Sequence, residues 1–275
     1  MSLGFSRFTP AHRGGSGPPL VCLHGFMDTW RSWELVLPAL ERRHDVLAPT
    51  LPGHAGGPPL AAHLGDGAGL LADAVEQAMD EAGFETAHLV GNSLGGHLAF
   101  VLAARGRAES VVAFAPAGGW AAGDESSAGL LEFQRRLHEE LAGAAPVVDA
   151  LLATAEGRRR ATQLVAERFE HIPPELIAHQ LLGAARCEAA PMIAHALGTD
   201  WSLDAERITA PARIVWGTGD RLLPWPSAAA RYREDWLPHA DWVVLDGVGH
   251  CPQLDVPLET AELILGFTGA QPARR

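Results

Sequence analysis

The sequence holds few cysteines, no long apolar run and no basic tract, and each shortage narrows what the chain does. Cys22, Cys187 and Cys251 are scattered and lack any CxxC or His-Cys ligand spacing. They read as free thiols of a reducing compartment, not as a disulfide frame or a zinc site, so the expected location is cytoplasmic. No window approaches the ~20 consecutive apolar residues of a membrane span. The start, "MSLGFSRFTPAHRGGSG", lacks the apolar core of a signal peptide. The one basic cluster, "GRRR" at 157–160, sits among acidic residues on a helical pattern, and the net charge is -12. A surface of that sign does not track phosphates, so nucleic acid is not an expected partner. His44, His54 and His63 fall in different elements without ligand-like grouping, and the glycines form neither G-x-G-x-x-G nor a phosphate loop. No metal and no cofactor is expected, and the partner is a small molecule.

What is present is an alternation. "PLVCLHG" (19–25), "HDVLAPTLPG" (44–53), "AHLVGNS" (87–93), "VVAFAP" (111–116), "ARIVWG" (212–217) and "WVVLDG" (242–247) are short apolar runs ending in Gly, Pro or Ser. Such runs suit strands buried on both faces of a parallel sheet. Helical patterns lie between them: "WELVLPALERR", "GLLADAVEQAMDEAG" with Gly83 as its stop, "HLAFVLAARG" and "TAELILGFTG". The expectation is an α/β fold, a mostly parallel sheet flanked by helices. "GGSGPP" (14–19) reads as a loop with little chain before it, so early edge strands are expected to be brief or missing.

Residues 119–206 break the rhythm with amphipathic helical segments and no strand between them. This predicts a helical cap, inserted after the strand at about 111–115, on a core made of 1–118 and 207–275. The cap is expected over the carboxyl edge of the sheet, where open α/β sheets bind ligands.

Gly91-Asn92-Ser93-Leu94-Gly95 matches G-x-S-x-G with a strand before it and a helix after it. Ser93 then stands on a strained turn at a helix N-terminus, where developing negative charge is favoured. A serine hydroxyl needs a base. Of the 13 histidines, His250 follows an apolar strand run on a loop. Asp220, in "RIVWGTGDRL", occupies another strand-end loop and is favoured over Asp246 and Asp255 as the orienting carboxylate. The order Ser, Asp, His is the one expected on such a sheet.

Together "VCLHGFMDTWRSW", "LPGHAGG", "VGNSLGGHLA", "VWGTGDRLLP" and "GVGHCPQLDVP" resemble the α/β-hydrolase superfamily in its cap-bearing branch, over nearly the whole length. The resemblance implies an oxyanion hole made of the backbone N–H groups of Leu94 and Phe26. It gives His24 a structural part in the turn and makes Trp30 and Asn92 candidate substrate-pocket residues. Haloalkane dehalogenases and epoxide hydrolases of the superfamily place Asp at the elbow, so Ser93 disfavours those reactions. The expected activity is a serine esterase acting on a small, partly apolar ester, with thioesters, lactones and amides open to the same machinery. The alternatives are a cofactor-free C–C hydrolase, lyase or synthase on the same triad, or a non-catalytic ligand receptor.

Overall fold

A computed structural model describes residues 7–60, 67–121, 123–144, 147–197 and 201–270. The apolar runs form one seven-stranded sheet of order β1-β3-β2-β4-β5-β6-β7. Its strands are β1 (Ala11–Gly15), β2 (Pro19–Leu23), β3 (Asp45–Pro49), β4 (Ala87–Asn92), β5 (Ala108–Phe114), β6 (Ala212–Gly217) and β7 (Asp241–Leu245). β1 pairs antiparallel with β3, and the other neighbours are parallel. The expected brief edge strand is thus β1, five residues long, and the loop after it is shorter than "GGSGPP" suggests.

Both faces of the central strands are apolar because successive side chains alternate sides. Val21, Leu23, Leu89, Val111 and Ala113 join one core, under α2 (Gly67–Glu81) and α3 (Leu94–Ala104). Leu20, Cys22, Val90, Val112 and Phe114 join the other, under α1 (Leu37–Leu40) and α10 (Pro257–Thr268). α2 ends where Gly83 takes φ +79 and Phe84 N–H returns to Met79 O at 2.8 Å. The pattern "WELVLPALERR" is not one helix. Pro38 has no N–H to continue a helix from Trp33, so a 3-10 turn (Trp30–Trp33) precedes a separate short α1 that takes Pro38 in its first turn.

Between β5 and β6 the described residues form five α-helices and no strand: α4 (Ser126–Ala144), α5 (Val148–Leu152), α6 (Ala155–Thr162), α7 (Pro174–Ala185) and α8 (Ala189–Leu197). A short α9 (Pro252–Asp255) precedes α10. α7 packs on α4, α5 and α6, and α8 packs on α4 and α2. No helix among the described residues is long and apolar enough to cross a membrane.

β2 has β3 on one side and β4 on the other, so the chain leaves β2 in one direction and returns to lay β4 on the opposite flank. The loops after β2 and β4 diverge there, and this reversal is where an open parallel sheet leaves a crevice at its carboxyl ends.

Candidate active site

Ser93 occupies that crevice. It follows β4 with φ 55 and ψ -118 and starts α3, yet its hydroxyl does not cap the helix. A non-glycine residue held there stores about 1–3 kcal/mol of strain. Backbone bonds on three sides hold it: Ser93 N–H donates to Phe114 O at 2.9 Å, while Ser93 O accepts from His97 N–H at 3.1 Å and Ala117 N–H at 3.0 Å. The flanking glycines are required by close approach. A Cβ on Gly91 would lie 2.1 Å from Gly95 O, and one on Gly95 would lie 2.2 Å from Leu23 O.

The turn after β2 lies against the serine, where a Cβ on Gly25 would meet Ser93 Cβ at 3.3 Å. His24 shapes this turn. Its Nε2 accepts Leu51 N–H at 2.9 Å, so Nδ1 carries the proton and donates to Gly25 O at 2.7 Å. The ring is fully buried, and burial holds its pKa well below the usual imidazole range. Phe26, Ser93, Leu94 and His250 all line one cavity of about 440 Å³. The two amides expected to form the oxyanion hole thus belong to residues on its wall.

His250 and Asp220 are brought together from loops after β7 and β6. His250 Nδ1 lies 2.7 Å from Asp220 Oδ2, and both residues are buried. A carboxylate accepts, so Nδ1 donates and Nε2 carries the lone pair. The other oxygen, Asp220 Oδ1, accepts the N–H groups of Leu222 and Leu223 at 2.9 and 2.7 Å. Asp246, by contrast, is exposed and accepts from Thr218 Oγ1 at 3.0 Å.

Asp255 has a part that sequence reasoning missed. Its buried carboxylate accepts the N–H groups of Gly249, Glu167 and Arg168 at 2.6, 3.1 and 2.8 Å. Cys251 N–H donates to Val165 O at 2.8 Å. The loop bearing His250 is therefore braced on both sides by residues 165–168. A carboxylate one turn into a helix gives no signal of this, because two of its three partners, Glu167 and Arg168, lie far away in sequence.

Two expectations about the pocket are corrected. Trp30 does not line the cavity; its indole N–H donates to Thr9 Oγ1 at 2.9 Å and its ring stacks on His12. Asn92 does not line it either, because alternation along β4 turns its side chain away from the cavity. Its Nδ2 donates to Phe114 O and His250 O at 3.1 and 2.9 Å, and its Oδ1 accepts from Cys251 Sγ and Gln253 Nε2, both at 3.2 Å. The rest of the wall includes residues that no motif marks: Leu130 and Leu131 of α4, Met192 and Ile193 of α8, and Trp120 and Trp201. Of the three histidines weighed as metal ligands, His44 bonds Pro18 O and Thr268, His54 bonds Pro52 O, and His63 lies outside the described residues.

Residues 18–257 match the alpha/beta hydrolase fold family. The chain is 36% identical over 206 residues to epoxide hydrolase EphH of Mycobacterium tuberculosis, an alignment covering 72% of this chain and 93% of that protein. It is 30% identical over 277 residues to the pimeloyl-(acyl-carrier protein) methyl ester esterase of Aeromonas hydrophila, covering 98% and 100% of the two. A solved bacterial membrane phospholipase A superposes with a TM-score of 0.74 at 25% identity, over 96% of this chain and 83% of that one. The strand order, the strained corner after β4 and these alignments over most of the sequence agree, and the chain belongs to the α/β-hydrolase fold family.

Proposed function

We propose that this hydrolase cleaves small carboxylic esters through an acyl-enzyme, with Ser93 as nucleophile, His250 as base and Asp220 as the carboxylate that orients it. The observation that carries this reading is the 2.7 Å pairing of His250 Nδ1 with Asp220, which leaves Nε2 as a base beside the cavity that Ser93 also lines. Ser93 Oγ attacks the ester carbonyl as its proton passes to Nε2, and the oxyanion is held by the Leu94 and Phe26 N–H groups. The C–O bond then breaks, the alcohol leaves with that proton, and His250 deprotonates a water that releases the acid. Asp220 favours the imidazolium formed between these steps. Residues 119–206 act as the cap, with α4 and α8 giving the substrate an apolar wall. Alignment along almost its whole length with a methyl ester esterase supports the choice of bond.

A fluorophosphonate probe and 4-nitrophenyl butyrate test this reading. Wild type is expected to label and turn over, and Ser93→Ala to do neither while keeping its fold. Undiminished labelling of Ser93→Ala would remove Ser93 from the mechanism.

The 36% identity to an epoxide hydrolase favours a second reading. Chemistry weighs against it. A carboxylate nucleophile opens an epoxide to an ester that water can cleave, whereas a serine alkoxide gives an ether with no carbonyl to attack. Diol formation from styrene oxide by the wild-type protein, without ester turnover, would favour the second reading.

A further inference from the structure

We propose that the cavity beside Ser93 selects uncharged substrates and turns away those with a carboxylate or phosphate distal to the bond being cut. The proposal rests on the ester reading only for which bond that is. The chain contains no lysine, so all 21 of its permanently positive side chains are arginines. None of them lines the cavity among the described residues. Of the arginines beside lining residues in sequence, Arg135 pairs with Glu132 and Glu139 along α4, at 2.7 and 2.6 Å, and Arg136 is exposed on the same helix. Arg231 donates to Trp201 O at 2.8 Å and lies 4.1 Å over the Trp236 ring, and Arg221 pairs with Glu167 at 2.8 Å. The stretches 61–66 and 198–200, which adjoin lining residues in sequence, hold Asp66 and Asp200 and no arginine.

Two further histidines line the cavity, and each is committed within the fold. His195 Nε2 accepts Gly67 N–H at 3.0 Å, a bond that an imidazolium could not make. Tyr232 donates its hydroxyl proton to Ala117 O at 2.9 Å, so His97 Nδ1 must donate to Tyr232 at 2.9 Å. The remaining polar lining is neutral: Ser127, Gln134 and Ser202. Such groups can hydrogen-bond a carbonyl or hydroxyl of a neutral ligand. They cannot neutralise an anion, and an ionised carboxylate buried without a counter-ion is strongly disfavoured. The net charge of -12 adds long-range repulsion of anions. The same property favours turnover, because the carboxylate product is born in a cavity that does not hold it.

The test compares methyl 4-nitrophenyl glutarate with mono-4-nitrophenyl glutarate, which has the same acyl chain and a terminal carboxylate. Wild type is expected to show kcat/KM about 100-fold lower for the anion, and Gln134→Arg to narrow the gap to about tenfold. Turnover of the neutral ester by Gln134→Arg verifies that the variant is folded, and the wild-type comparison decides by itself. Hexanamide and hexanoate are also titrated against Ser93→Ala, read by the fluorescence of Trp120 and Trp201. The amide is expected to bind at least about tenfold more tightly. Inert esters with that binding gap intact would reject the ester reading and leave the charge rule standing. Esters turned over within about threefold of each other would overturn the charge rule and leave the ester reading standing.

Discussion

The side-chain amide of Asn92 donates to the backbone carbonyl of His250 at 2.9 Å, so the residue before the proposed nucleophile holds the residue proposed as its base. All four hydrogen-bonding positions of that amide are used. Asn92 is thus a positioning residue between the corner after β4 and the loop after β7. Asn92→Ala takes the side-chain donor from His250 O and the acceptor from Gln253 Nε2, while Phe114 O keeps its bond from Ser93 N–H, and should cost about 1–3 kcal/mol per group left unsatisfied. We expect a lower urea midpoint, and a kcat reduced by at least about tenfold with KM nearly unchanged, since the cavity wall is untouched. A variant with wild-type kcat would show that the two loops hold their geometry without this amide.

Asp220→Asn keeps the shape of the side chain and the bonds from Leu222 and Leu223, but it cannot fix His250 as the Nδ1–H tautomer. The expected loss is on the order of 10³–10⁴ in kcat on 4-nitrophenyl butyrate, with little change in melting temperature. A loss below about tenfold would point to a different orienting carboxylate.

The φ of 55 at Ser93 makes a stability prediction that is independent of chemistry. Ser93→Gly and Ser93→Ala are both expected to be inactive. The glycine variant should be the more stable of the two by about 1 kcal/mol, because only glycine adopts this conformation without strain. Chemical denaturation of the pair measures the difference.

His54 predicts acid sensitivity. Its ring is buried, donates to Pro52 O at 3.0 Å, and has its pKa lowered by that burial from 6.5 to about 4. The unfolded chain takes up this proton below 6.5, whereas the folded chain resists until about 4. Stability is therefore complete above 6.5 and falls as pH drops toward 4. One such group contributes a slope of about 1.4 kcal/mol per pH unit. His88, also held down to about 4 by burial, adds to the same window. His54→Gln should remove one proton's worth of slope in urea titrations between pH 6.5 and 4, and an unchanged slope would show that His54 does not contribute.

Features set by local physics were legible in the sequence. The glycines around Ser93 announce a strand and a helix passing too closely for a Cβ, and they do so. Asp220 and His250 follow apolar runs that become strands, so their placement on neighbouring loops follows from topology. Features set by packing at a distance were not legible. Trp30 looks like a pocket aromatic beside "HGF", yet its partners are Thr9 and His12 on the opening segment. Asn92 looks like part of an elbow motif, yet its partners lie about the His250 loop. The cavity-lining residues of α4 read only as the apolar face of an amphipathic helix, whose period does not say which cavity it enters, and those of α8 carry no motif at all.

The brace on the His250 loop bears on how such folds exchange parts. Gly249, Glu167 and Arg168 share the carboxylate of Asp255, and Cys251 is tied to Val165. Three residues within the stretch between β5 and β6, Val165, Glu167 and Arg168, thus serve the same loop that presents His250. A chimera made by swapping everything between those strands for a relative's equivalent would exchange the substrate wall and unseat the histidine together. A graft meant to change specificity alone has to take α4 and α8 and leave 165–168 with the host.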